Sequence, residues 1–198
     1  MRKLSTKSQT RLLAVIGILT LSAFLVGCGT TSNLKPVAGA NLRALQKYSQ
    51  ASVLDFCVKA DTKTDTKSEQ LQERGRHFAD LIALELESTK AFEKVTRGTA
   101  PQPGSLSVSG DITRYAEGSS SLRFWVGMGA GSSYFDATVR FADADTGEKL
   151  GELLVDKNSW GGGGGIAAGQ TVQSFMQEAA KKIAAQVAKS KADAAAGK

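Results

Sequence analysis

The chain is poor in the side chains from which most catalytic and metal sites are built. It holds one histidine, His77, and two cysteines, Cys28 and Cys57, among 198 residues. A single histidine excludes most metal cages and most histidine-based acid–base constellations. Two cysteines make neither a disulfide-dense scaffold nor a four-cysteine zinc site. No pair of carboxylates stands out as a hydrolase dyad. The run of low polarity from Leu12 to Val26 spans fifteen residues, short of the ~20 that a membrane-spanning helix needs. What remains is 41% hydrophobic and 22% charged, the composition of a folded protein with room for one domain and appended segments.

The amino terminus reads as an address. Arg2, Lys3, Lys7 and Arg11 form a positive region without acidic residues, and Leu12–Val26 has the length of a secretory apolar region. The run ends in Leu25-Val26-Gly27-Cys28, followed by Gly29-Thr30-Thr31-Ser32. A small residue before a cysteine at this point resembles the lipobox of bacterial lipoproteins. That resemblance implies a diacylglyceryl thioether on Cys28, cleavage before it, and acylation (palmitate-type chains) of the new amino terminus. The alternatives are an ordinary signal peptide and an uncleaved anchor. Gly29 stands where a sorting Asp would retain a lipoprotein in the inner membrane, so the resemblance implies the outer membrane of a two-membrane cell.

The formal charge of +6 suggests nucleic acid until it is divided along the chain. Four of the 25 basic residues and none of the 19 acidic ones precede Cys28, and a further excess of two lies in the tail beyond residue 188. Residues 28–188 carry 18 of each sign. No nucleic-acid partner is expected.

Composition divides the chain into a signal peptide over 1–27, the lipidated cysteine with a polar tether over 28–50, one α+β domain over 51–188, and a flexible Lys/Ala tail over 189–198. Ala51–Val58 is compact and β-prone, which predicts a buried strand. Thr66 with Glu69 is a capping-box pair opening a helix that runs to about Lys90, with Leu71, Phe78, Leu81, Ile82 and Leu86 on its buried side. Gly75 inside that helix suits close approach of another element. Phe92–Thr96 is a short strand. Period-two alternation then marks strands at Leu106–Thr113, Leu122–Val126, Phe135–Phe141 and Leu150–Val155, with an Asp143–Gly147 turn before the last. Val172, Phe175, Met176, Ala179, Ile183 and Val187 fall on one stripe of a closing helix, where Glu178 and Lys182 pair at i,i+4. The order β-α-β-β-β-β-α predicts a mainly antiparallel sheet of four to five strands with two helices packed on one face.

Gly110-Asp111-Ile112-Thr113-Arg114-Tyr115, Val126-Gly127-Met128-Gly129-Ala130-Gly131, Asp145-Thr146-Gly147-Glu148 and the glycine run before the last helix resemble, in order and spacing, a bacterial lipoprotein family known as domain of unknown function 4410. The likeness covers roughly 49–188. More distantly the order resembles domains of curli-secretion lipoproteins, the amino-terminal domain of the Tol-system periplasmic protein, and lipoprotein activators of penicillin-binding proteins. The resemblance implies an envelope binding or assembly module and transfers no catalytic residue.

Other candidates are weighed on their own chemistry. Gly127–Gly131 lacks the spacing and the following helix of a phosphate loop and suits a hairpin. Gly161–Gly165 precedes a helix but no Lys-Ser or Lys-Thr follows, so it suits a connector better than an anion site. His77, within Arg74-Gly75-Arg76-His77-Phe78, would need a nucleophile or orienting partner supplied by the fold. Cys57 is expected to be inert packing in a strand. Trp125, Tyr134 and Trp160 lie beside glycine-rich turns, where they form either a ligand-stacking patch or cover for the sheet. Arg123 and Arg140 are expected to pair across strands with Asp111 and Asp136. No cofactor is expected. The leading expectation is a non-catalytic, lipid-anchored module that contacts envelope proteins or peptidoglycan. An envelope hydrolase or transferase, and a subunit of a homo-oligomeric secretion-type assembly, are the alternatives.

Overall fold

The computed structural model describes residues 29–31, 35–36, 42–59, 68–119, 131–159 and 171–196. They build a two-layer α+β sandwich. The strands are β1 (Gly29–Thr31), β2 (Lys35–Pro36), β3 (Gln50–Leu54), β4 (Cys57–Val58), β5 (Lys94–Gly98), β6 (Leu106–Ala116), β7 (Tyr134–Asp143) and β8 (Lys149–Asn158). Helix α1 is Ser68–Thr89, helix α2 is Val172–Ala195, and Leu42–Lys47 forms a 3₁₀ helix. Across the sheet the order is β1-β8-β7-β6-β3-β5, with β2 also on β8 and β4 also on β6.

The long strands follow from strict alternation. On β7, Phe135, Ala137, Val139 and Phe141 are buried while Tyr134, Asp136, Thr138 and Arg140 are half-buried. The apolar set faces both helices. Phe78 of α1 meets Phe56 and Phe135 edge-to-face, with ring centroids 5.0 and 4.8 Å apart, a geometry that aligns ring edges with the negative faces. Every residue of the stripe expected on α2 is buried, together with Ala180 and Ala184. On α1, Phe78, Ile82 and Leu86 are fully buried, and Leu71 and Leu81 partly so. Gly75 lets α1 press onto the chain between β3 and β4, since a Cβ there would overlap the Phe56 carbonyl.

The structure corrects the sheet. It is mixed, not mainly antiparallel: β6, β7 and β8 form an antiparallel meander, but β3 runs parallel to both β5 and β6, and β4 parallel to β6. Helix α1 is the crossover of a β3–α1–β5 unit. The second parallel step, β5 to β6, is made by residues 99–105 without a helix. That loop passes over Ser52, whose hydroxyl accepts from Gln102 N at 2.9 Å and lies 2.8 Å from Ser105 Oγ. Parallel strands of one sheet normally need a longer connection. Here β3 is short enough for the loop to step across it.

Three further expectations shift. The tether over 28–50 contains β1, β2 and the 3₁₀ helix, and Leu45 and Tyr48 belong to the core. The tail expected to be flexible from 189 continues α2 to Ala195, because Lys191 donates to the Tyr48 carbonyl at 2.5 Å and sits 4.0 Å over the Phe92 ring. Cys57 is exposed, not packed inside: the break at residues 55–56 between β3 and β4 turns Phe56 inward and its neighbour outward. Residues 1–28, Thr66, the strand expected over 122–126, Trp125, Trp160 and the glycine stretches 127–130 and 161–165 lie outside the described residues.

Candidate functional site

A cleft of about 420 Å³ opens at one end of the sandwich, where the first turns of both helices meet the end of β6. Its shape follows from helical spacing. Gln70, Arg74 and His77 recur at i, i+4 and i+7 on α1, and Gln173 and Met176 at i and i+3 on α2. The Gln173 amide Nε2 donates to His77 Nε2 at 2.7 Å, linking the two helices across the cleft. The Arg74 guanidinium lies 4.1 Å over the Tyr115 ring and donates to Glu117 at 3.3 Å. Tyr115 donates to the same carboxylate at 3.2 Å. Burial pushes the Tyr115 phenol up to about 12. Glu73 completes the lining. The set offers amide, guanidinium and carboxylate groups for hydrogen bonding, with the phenol held protonated.

Three more charged groups lie on the two faces of the sheet. On the sheet face away from the helices, Asp111 receives Arg140 at 2.5 Å and Lys59 at 3.1 Å. These two cations outweigh burial and hold its carboxyl below the usual range. Asp136 sits opposite Asp156 in register, and burial followed by the Asp156 charge raises its pKa. On the helix-facing side Lys157 is almost wholly buried beside Phe135 and reaches Glu178 of α2 at 3.2 Å. Burial lowers the lysine's pKa, although Glu178 opposes the effect. Lys182 shares that carboxylate at 3.2 Å, the expected i,i+4 pair.

Of the residues singled out in the sequence, Tyr134 is described. It opens β7, half-buried, with the Arg114 guanidinium 3.6 Å over its ring. Cys28, Trp125 and Trp160 lie outside the described residues, so the aromatic patch is not assembled among them. Arg140 pairs with Asp111 as expected, and Arg114 stands 4.0 Å from Asp136. His77 has an amide for a partner in place of a carboxylate or nucleophile. Among the described residues, no three His, Cys, Asp or Glu side chains gather as a metal site. Sequence reasoning missed the cleft itself. The i, i+4, i+7 recurrence of Gln70, Arg74 and His77 was its one visible signal, while Tyr115, Glu117 and Gln173 join it through tertiary packing.

Fold and site together define a class: a two-layer α+β module with a mixed sheet and a polar cleft at one end. Residues 36–163 match the family described as Domain of unknown function (DUF4410), and the chain belongs to that family. No curated protein sequence matches it. Among solved structures it is similar to the PelC dodecamer of Paraburkholderia phytofirmans in two crystal forms. One has 14% identity and a TM-score of 0.53, covering 80% of this chain and 96% of that one. The other has 13% identity and a TM-score of 0.52 at the same coverage. A chain from Caulobacter crescentus assigned as a lipoprotein has 16% identity and a TM-score of 0.39, covering 80% of this chain and 97% of that one. At these identities the PelC likeness is one of fold.

Proposed function

We propose that the protein is a lipid-anchored, non-catalytic binding or assembly module of the bacterial envelope, carried on Cys28 at the periplasmic side of the outer membrane. The cleft carries this reading. Its histidine is held by an amide, and the phenol among its lining side chains is kept protonated by burial. Such a set suits hydrogen bonding to the polar groups of a partner. The leader and the cysteine at its end support the anchor. No helix among the described residues is long and apolar enough to cross a membrane. Several acyl chains give stable anchoring, at about 0.8 kcal/mol for each buried CH₂. The partner is an envelope protein or peptidoglycan.

Cys28→Ser tests the anchor: labelled fatty acid should no longer be incorporated, and the protein should leave the membrane fraction. Unchanged labelling and fractionation would refute the assignment. For the binding role, a photocrosslinker at Gln70, on the cleft rim, should capture one envelope protein or muropeptide reproducibly. Hydrolysis of purified peptidoglycan that is lost in His77→Ala would favour an enzyme instead. A second reading, that the chain is a subunit of a homo-oligomer, is favoured by the fold shared with a protein crystallised as a dodecamer. Mass measurement in detergent distinguishes a ring from a monomer.

A further inference from the structure

Between a lipidated Cys28 and the folded sheet there is no tether. Gly29, the next residue, is already paired with Lys157 at the edge of β8, and one peptide step is ~3.8 Å. Gly29, Lys157, Phe135 and Tyr115 form one row across β1, β8, β7 and β6. The acyl chains would therefore leave the molecule at the end of the sheet that carries Tyr115 and the cleft. That end also carries two tyrosines, each with a guanidinium stacked on its ring: Arg74 on Tyr115 at 4.1 Å and Arg114 on Tyr134 at 3.6 Å. Tyrosine places an apolar ring and a polar hydroxyl at the headgroup level of a bilayer, and arginine matches phosphate geometry. The carboxylates at the same end, Glu73, Glu117, Asp136 and Asp156, disfavour an anionic surface and suit the ammonium of a zwitterionic headgroup.

We infer that this end of the sandwich rests on zwitterionic phospholipid headgroups through the Arg114–Tyr134 pair, on the sheet face outside the cleft, so that the domain is held in one orientation against the membrane and the cleft stays open to its partner. The inference rests on the proposed lipidation of Cys28, and the test separates the two. Lipidated protein carrying Cys57→Ser is reconstituted in phosphatidylethanolamine–phosphatidylcholine vesicles doped with a nickel-chelating lipid. A spin label is placed at Asp156→Cys or, at the far turn, at Thr146→Cys. The two positions differ by ~20–25 Å along strands rising about 3.4 Å per residue. Nickel should relax the label at 156 about threefold or more faster than the label at 146, given that separation, and Arg114→Gln should reduce the ratio. Equal relaxation at both sites in protein whose lipid is confirmed by mass spectrometry overturns the orientation and leaves the anchor intact. A ratio unmoved by Arg114→Gln overturns the headgroup contact. Absence of lipid on Cys28 overturns both the anchor and the inference.

Discussion

At the scale of single residues, two positions expose how tightly the fold is specified. Gly75 sits mid-helix, where glycine costs ~1 kcal/mol relative to alanine in an open helix. It is needed because a Cβ would run into backbone, the Phe56 carbonyl, which cannot rotate away. Gly75→Ala should thus lower stability, by about 1–3 kcal/mol as for overpacking, visible as a shifted urea midpoint with unchanged slope. Lys157 makes the opposite case. Its charge is buried while its partner Glu178 is half-exposed and keeps Lys182 as a second cation. Lys157→Met should be neutral or stabilising by about 1 kcal/mol, as when buried ion pairs are replaced by apolar side chains. Glu178→Gln, which strands the ammonium, should destabilise by about 2 kcal/mol, at the exposed end of what a broken pair costs. Equal losses in the two variants would contradict this account of the pair.

At the scale of elements, what was legible in the sequence was whatever repeats locally. The stripe on α2 and the alternation of β6, β7 and β8 could be read because burial on one face imposes a period. Strand direction leaves no such trace: Ala51 to Leu54 reads alike whether its neighbours run parallel or antiparallel. The short loop over Ser52 removes the usual cue of a long crossover. Gly29–Thr31 and Lys35–Pro36 look like tether because their pairing depends on a strand more than a hundred residues away. The last turns of α2 lack an apolar stripe, and Lys191 ties them to Tyr48 and Phe92. Lys191→Ala should free those turns, losing about 1 kcal/mol from the cation–π and carbonyl contacts. Amide exchange confined to 188–195 should accelerate; uniform acceleration across α2 would disprove the local tie. In the cleft, His77 and Arg74 were visible on their helix, but the stacking of Arg74 on Tyr115 arises only when β6 docks.

For the whole molecule, the titratable groups define a pH range of stability. Asp143 accepts from Tyr48 at 2.6 Å and Lys47 at 2.9 Å, joining the 3₁₀ helix to the β7–β8 turn. Those bonds hold the Asp143 carboxyl below its ordinary value, so its contribution is present above about pH 4 and lost as pH falls toward the folded value. Lys47 is raised, chiefly by its bond to Asp143. Burial and then the Asp143 bond push Tyr48 up to about 12, and burial does the same to Tyr115. A raised group stabilises fully below its unfolded pKa and loses that contribution as pH rises through the folded one, so stability should fall between about pH 10 and 12. Lys157, lowered by burial, works in the other direction and recovers its cost as pH climbs toward 10. Urea midpoints against pH should show the alkaline fall, and Tyr48→Phe should flatten it; an unchanged slope would remove Tyr48 from the account. One consequence concerns how the molecule avoids sticking to itself. β1 and β2 lie along the outer edge of the ten-residue β8, and they act as guards that occupy its free amide and carbonyl groups. A recombinant chain started at residue 42, after both guards, leaves that edge open as a template for intermolecular strand addition. Such a chain should aggregate or form irregular oligomers where one started at residue 29 does not, as light scattering would report. A subunit count taken on the shorter chain would therefore measure a broken edge and say nothing of native assembly.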